Sequence, residues 1–312
     1  MTIKVIIDQH EIEVDQNTTI LQAARALGVE IPAMCYYSPL KESGGKCRTC
    51  LVKVTKASDQ DPRPMPKLVA SCRTLVQQGM VVENLVSQEV QEARKGVVEM
   101  LLINHPLDCP VCDQAGECKL QDLAFGHGGA QTRYQEERRQ FPVQDIGPLI
   151  KLHMNRCILC YRCVYVADQL SDERCHGVLG RGDASEIGTY IQKAVDHEFS
   201  GNMIDVCPVG ALTDRTFRFK SRVWFTKPLW AHRSCEKCCG KVVLWSKGEE
   251  VLRVSARQNE FGEVTEFICN GCRFEHKQKS DWVIEQTAMV KSSSVISQNL
   301  YPVSQKKALP HG

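Results

Sequence analysis

The sequence predicts an α+β protein built from several small metal-binding domains strung along one chain. Three observations carry this. Short strand-like segments lie near both ends, at 3–7 and 11–14, where apolar and polar residues alternate, and at 242–245 and 251–254. Between them, Val90, Ala93, Val97 and Leu101 recur at helical spacing. The 312 residues include 17 cysteines, and most of these fall into four clustered sets.

Taken in order, residues 3–7 and 11–14 form a β-hairpin around Asp8-Gln9-His10. Asn17-Thr18-Thr19 caps a helix carrying Ile20, Leu21, Ala24 and Leu27, which Gly28 ends. The first cysteine set follows as Cys35, Cys47, Cys50 and Cys72, spaced C-x11-C-x2-C-x21-C, with a strand at Leu51–Val54. Gly44 and Gly45 lack a Cβ, so backbone N–H groups there can approach bridging sulfides closely. Lys46, Arg48 and Arg73 bring positive charge to a tetrathiolate centre that is anionic. Asp61-Pro62-Arg63-Pro64-Met65-Pro66 reads as a surface loop. Hairpin, helix, Cys loop, strand and distant fourth Cys resemble the plant-type [2Fe–2S] ferredoxin fold, a β-grasp, although the first gap exceeds the plant-type C-x4-C.

The helix at 88–103 leads to the second set, His105, Cys109, Cys112 and Cys118, spaced H-x3-C-x2-C-x5-C. Pro106, Pro110 and Gly116 keep the segment out of a regular helix, so the four side chains can converge. Sulfur-rich ligands suit an iron–sulfur cluster or zinc, and zinc is the default for a Cys3His quartet taken alone. The comparable sets on either side favour a [4Fe–4S] cluster. A neutral imidazole in place of one thiolate makes such a cluster less negative and raises its potential. His127, in a glycine-rich stretch, reads as a structural loop residue.

Residues 128–145 are polar and read as a linker or surface arm. The third set, Cys157, Cys160, Cys163 and, much later, Cys207-Pro208, is the bacterial ferredoxin pattern C-x2-C-x2-C…C-P. Only one such run occurs, so Cys207 closes the same [4Fe–4S] cluster. Cys175 lacks ligand spacing. The fourth set pairs Cys235 and Cys238, with Cys239 adjacent, against Cys269 and Cys272 across a hairpin turning at Lys247-Gly248-Glu249-Glu250. That is equally the layout of a zinc ribbon and of a third [4Fe–4S] site. Beyond residue 285 the chain is polar and is expected to be disordered. The expected domains are 1–80, 81–127, 128–226 and 227–285, followed by the tail 286–312.

A net charge of +2 gives no electrostatic case for nucleic acid or an anionic membrane surface. No run of eighteen apolar residues occurs, so direct membrane insertion is not expected. The N-terminus reads as a strand without signal-peptide architecture, and clustered C-x2-C pairs then read as metal ligation instead of disulfides. No G-x-G-x-x-G, P-loop or supported Ser/His/Asp arrangement marks a substrate site.

The four sets in this order resemble the large iron–sulfur subunit of respiratory complex I, over roughly residues 1–285. Gly45–Cys50, His105–Asp113, Met154–Cys163 and Ser200–Pro208 carry the likeness. The resemblance implies a [2Fe–2S] centre on Cys35, Cys47, Cys50 and Cys72. It also implies [4Fe–4S] centres on His105, Cys109, Cys112 and Cys118, and on Cys157, Cys160, Cys163 and Cys207. Single electrons would pass from an NADH- and flavin-binding subunit toward quinone-site subunits of a proton-translocating enzyme, with other peripheral-arm subunits as neighbours. The location implied is the cytoplasmic face of a bacterial inner membrane, reached through partners. Two departures stand out. The family's C-x2-C-x3-C places its third ligand where this chain has Val242, leaving Cys239 and Cys272 as substitutes. The long molybdopterin-enzyme-like domain is expected to be absent, and molybdenum chemistry with it. The diaphorase iron–sulfur subunit of a soluble NAD-linked hydrogenase or formate dehydrogenase is the alternative function. A zinc scaffold without redox activity is a third.

Overall fold

A computed structural model describes residues 2–129, 131–171, 175–190 and 194–288. Of the predicted tail 286–312, residues 286 and 287 instead end a strand, Val283–Thr287, and the residues beyond 288 lie outside the described residues. The chain divides into two compact units, the first made of Met1–Tyr36, Gly44–Ile103 and Leu123–Glu136, the second of Tyr37–Ser43, Asn104–Asp122 and Glu137–Gly312.

In the first unit, β1 (Thr2–Ile7) and β2 (His10–Asp15) pair antiparallel with Ile7 opposite His10. The turn is two residues, not three: Asp8 and Gln9 both take positive φ, at 45° and 71°, which matches the twist of a tight hairpin. α1 (Ile20–Ala26) starts in a capping box. The Thr19 hydroxyl accepts from the Gln22 N–H at 3.3 Å, and the Gln22 side chain accepts from the Thr19 N–H at 2.9 Å. Gly28, at φ 74°, follows the helix end as the sequence predicts.

β3 (Leu51–Lys56), β4 (Val69–Ala70) and β5 (Met80–Glu83) complete a sheet ordered β2-β1-β5-β3-β4. Only β1 and β5 run parallel within it. Alternate residues Val5 and Ile7, Val52 and Val54, and Met80 and Val82 bury one face of the sheet together with Ile20 and Leu21 of α1. α2 (Gln88–Leu102) differs from its predicted stripe. Its buried line is Val90, Arg94 and Val98, at i, i+4 and i+8, while Ala93, Val97 and Leu101 flank it. A charged side chain at the centre of the buried face hides this from a hydrophobic pattern. α3 (Lys119–His127), whose residues 119–122 belong to the second unit and 123–127 to the first, carries His127 as its last residue, so this histidine is helical and not in a loop. Leu120 and Leu123, both buried, give the helix an inward face despite Gly126.

In the second unit, β6 (Ile150–Leu152) pairs with β9 (Leu212–Asp214), and β7 (His176–Leu179) with β8 (Glu186–Thr189), each antiparallel. α4 (Arg162–Leu170) and α5 (Asn202–Val206) accompany them around Ile150, Leu152, Val166, Met203 and Val206. Residues 131–149 form no helix or strand. Then β10 (Lys227–His232), β11 (Lys241–Lys247), β12 (Glu250–Ala256) and β13 (Val283–Thr287) form an antiparallel sheet ordered β12-β11-β10-β13. The central hairpin turns at Gly248, φ 61°.

Candidate metal centres

The first set is fully enclosed: Cys35, Cys47, Cys50 and Cys72 are all buried. Backbone N–H groups point at the sulfurs, with Gly45 donating to Cys72 Sγ at 3.2 Å, and Lys46 and Cys47 to Cys35 Sγ at 3.2 and 3.3 Å. That fan of donors requires the left-handed backbone of Gly44 and Gly45, at φ 107° and 78°. A Cβ on Gly44 would also stand 3.2 Å from Cys72 Sγ. Thiol donors on Cys47 and Cys72, with the N–H groups, hold Cys35 far below the usual thiol range. The contact with Cys35, then burial, pushes Cys47 up. Only a multivalent cation among them would let all four ionise at this spacing, which suits the donor set to an iron–sulfur group.

Arg94 is the residue that sequence reasoning missed here. Its buried guanidinium donates to the Thr49 carbonyl at 3.2 Å, the Leu51 carbonyl at 3.3 Å and Asn84 Oδ1 at 2.7 Å. It therefore grips the chain on both sides of Cys50.

In the second set, Cys109-Pro110-Val111 forms a 3-10 turn, and burial raises the Cys112 thiol above its ordinary range. Burial, then the neighbouring thiols, pushes Cys118 up to about 12. Burial and the Arg156 charge lower His105 to about 4, so its imidazole is neutral at physiological pH. His105 Nδ1 is buried and has no hydrogen-bond partner, as an open metal ligand would be. Arg222 fastens the loop, donating to the Cys112 carbonyl at 2.7 Å and to the Pro110 carbonyl.

The third set lines one cavity, where Cys157, Cys160, Cys163 and Cys207 share the wall with Leu152, Ile187 and Val209. Leu159 and Tyr161, between the ligand positions, take φ of 52° and 65°. Non-glycine residues rarely adopt that conformation, and here it wraps the loop around the cavity. Leu159 N–H donates to Cys157 Sγ at 3.3 Å, and N–H groups of Val209, Leu212 and Ala211 face Cys207. His176 Nε2 lies 3.3 Å from Cys163 Sγ. Burial, then His197, lowers His176 to about 4, so the ring is neutral. No ligand-like spacing announces His176 in the sequence.

The fourth set is the tightest. Cys235 Sγ lies 3.7 Å from both Cys269 Sγ and Cys238 Sγ, and Cys238 Sγ lies 3.8 Å from Cys272 Sγ. Among the described residues it is the one group whose ligand atoms all fall within 4.8 Å of one another. Cys239 turns away, accepting from the Lys241 N–H at 3.4 Å, and Val242 is buried in β11.

Three family models match these sites in turn. They are a 2Fe-2S iron–sulfur cluster binding domain over residues 1–86, the iron–sulfur binding region of NADH-ubiquinone oxidoreductase-G over 94–133, and the ferredoxin-like domain of NADH-quinone oxidoreductase subunit 3 over 147–213. The G subunit of the NADH-quinone oxidoreductase of Rickettsia bellii is 40% identical over 296 residues, which is 95% of this chain and 42% of the relative. Over most of its length the chain is similar to iron–sulfur subunits of NADH-quinone oxidoreductases. A mitochondrial member from Solanum tuberosum, NADH dehydrogenase [ubiquinone] iron-sulfur protein 1, is 43% identical over 83% of the chain and 34% of its own length. The chain thus spans less than half the length of these relatives. A chain from the crystal structure of an NAD+-reducing [NiFe]-hydrogenase in the H2-reduced state is also similar. Its TM-score is 0.60 at 28% identity, covering 71% of this chain and 91% of that one. The matched models assign [2Fe–2S] binding to the N-terminal domain and [4Fe–4S] binding to the segments after it. The Cys235–Cys272 domain lies outside the residues these three models match.

Proposed function

We propose that this chain is an electron relay of NADH:quinone oxidoreductase, carrying single electrons from an NADH- and flavin-binding subunit toward quinone-site subunits. The observation that supports this is that three His/Cys sets fall, in order, inside the three segments matched by iron–sulfur and ferredoxin-like family models. The ligands are Cys35, Cys47, Cys50 and Cys72 for the [2Fe–2S] centre, and His105, Cys109, Cys112 and Cys118 for one [4Fe–4S] centre. Cys157, Cys160, Cys163 and Cys207 hold the other. An iron–sulfur cluster, when bound, takes up and releases one electron at a time. The chain's own groups set how readily. N–H groups of Gly45, Lys46 and Cys47 offset thiolate charge at the first centre. His105 contributes no charge to the second, and His176, as its Nε2–H tautomer, would donate to a ligand sulfur of the third.

Large apolar side chains stand exposed beside the second set, among them Leu107, Val111, Trp224 and Phe225. Such a surface fits coverage by neighbouring peripheral-arm subunits. No helix among the described residues is long and apolar enough to cross a membrane. We place the chain peripherally, on the cytoplasmic face of a bacterial inner membrane and held there by partners of a proton-translocating complex. The hydrogenase likeness favours a second reading, the diaphorase subunit of a soluble NAD-linked enzyme. Affinity purification of the tagged chain from its own cells separates them: recovery with quinone-reducing membrane subunits supports the relay, and recovery with a soluble hydrogenase or formate dehydrogenase overturns it.

A further inference from the structure

We infer that Cys235, Cys238, Cys269 and Cys272 hold a single zinc ion, so that this domain carries a structural metal and no redox centre. Zinc–thiolate bonds are about 2.3 Å, and a tetrahedron of that size puts its sulfurs about 3.8 Å apart. The observed separations of 3.7, 3.7 and 3.8 Å meet that requirement. In a cubane each thiolate binds a different iron, so the sulfurs stand around a cluster-sized space. The four cysteines of the third set line the wall of one cavity, and among the described residues only the fourth set brings all its ligand atoms within 4.8 Å of one another.

The ligand chemistry agrees. Two C-x2-C knuckles supply the sulfurs, one in the turn between β10 and β11 and one entering the π-helical turn Gly271–Glu275. Gly240 N–H donates to Cys238 Sγ at 3.4 Å and Cys272 N–H to Cys269 Sγ at 3.5 Å, so the knuckle backbones are wrapped around their own sulfurs. All four positions of a tetrahedron are filled by thiolates, which leaves none for water or substrate and marks a structural site. Cys269 and Cys272 lie in the same core cluster as Ile268, Val242 and Val254. The metal would therefore pin the 269–275 turn to the β10–β11 sheet, a task that the short apolar segments around it do poorly alone.

The inference stands apart from the relay reading, because zinc and iron are counted separately. The test is zinc, iron and acid-labile sulfide per chain on the full-length protein purified anaerobically. The expected result is one zinc with about ten irons and ten sulfides. About fourteen irons and no zinc would mean a third cubane, and about eleven irons with ten sulfides a mononuclear iron site; either overturns the inference. Zinc with fewer than about ten irons leaves it standing while removing the relay reading. Cys272→Ser should abolish zinc at unchanged iron, and Cys239→Ser should retain it; the reverse pattern overturns the ligand set. If Cys272→Ser fails to fold, zinc-edge absorption on the unaltered protein decides instead, with four sulfurs at about 2.3 Å expected. Nitrogen or oxygen neighbours there would refute the tetrathiolate.

Discussion

Arg156 Nε and Nη2 both donate to Asp108 Oδ2, at 2.9 and 2.8 Å, and these two residues immediately precede Cys109 and Cys157. One ion pair thus ties the first cysteine of the second set to the first cysteine of the third. Arg156 is buried and also donates to the Gly210 carbonyl at 3.5 Å, beside the loop that closes the third set. Asp108→Asn removes the counter-charge while keeping the shape. Breaking a fully buried pair costs about 3–5 kcal/mol, but Asp108 is 41% exposed, so about 1–2 kcal/mol is expected here. The uncompensated cation should also raise both [4Fe–4S] potentials and leave the [2Fe–2S] potential in place. Redox titrations followed by low-temperature EPR would detect this; a downward shift would mean that Arg156 does not act as a charge on these centres.

His105→Cys reverses the electrostatics at the second set. The native imidazole is neutral, held at about 4 by burial and Arg156, and a thiolate adds one negative charge. The cluster should persist with a lower midpoint potential, read from the same titration. An unchanged or higher midpoint excludes His105 as a ligand.

His176→Phe should lower the potential of the third centre alone. Its ring nitrogen sits 3.3 Å from Cys163 Sγ, and a donor there favours the more negative reduced state. A loss of about 1 kcal/mol corresponds to roughly 40 mV. The same histidine predicts acid sensitivity. Its pKa falls from 6.5 to about 4 on folding, so the unfolded chain binds the extra proton between those values. Its contribution is fully present above pH 6.5 and is lost as pH falls toward 4, by up to about 3 kcal/mol. Visible absorbance decay measured across that window should accelerate with acid, less steeply in His176→Phe. Equal slopes in both proteins would assign the acid sensitivity to other groups.

Arg94→Met tests the missed residue of the first set. It deletes three hydrogen bonds, two of them to the backbone around Cys50, and leaves the Thr49 and Leu51 carbonyls and Asn84 Oδ1 unsatisfied. About 2–4 kcal/mol should be lost, with the [2Fe–2S] signal bleaching before the others during storage. Bleaching of all signals at one rate would mean that Arg94 supports the whole chain and not this loop.

What the sequence disclosed and what it hid divide along local and distant interactions. The β1–β2 hairpin, the Thr19 cap, Gly28 and the β11–β12 turn are legible because a few neighbouring residues decide them. The four cysteine sets stand out because C-x2-C pairs recur at the spacing that metal ligands use. Arg94, Arg156 and His176 are not, since their partners lie 45, 48 and 13 residues away and nothing in the intervening chain encodes the pairing. β10 and β13 pair across a long stretch of intervening chain and are hidden for the same reason. Spacing alone also left Cys239 as a possible substitute for Cys272, and the fold separates them by turning Cys239 toward Lys241.

Gly210→Ala is the sharpest probe of how closely the second and third sets are packed. A Cβ at this position would lie 2.1 Å from Cys112 Sγ, far inside contact distance, so either the ligand or the 207–212 loop must move. The loop is held by its own N–H groups around Cys207 and by β9, whose three residues are all buried. Cys112 sits in a short irregular turn and should yield first. The expected result is loss or conversion of the His105-side [4Fe–4S] signal, with about four irons missing at most, while the [2Fe–2S] and Cys157-side signals survive. Loss of the Cys157-side signal instead would show that the 207–212 loop is the softer element, and an unaltered iron count and spectrum would show that the two loops are not in contact in solution.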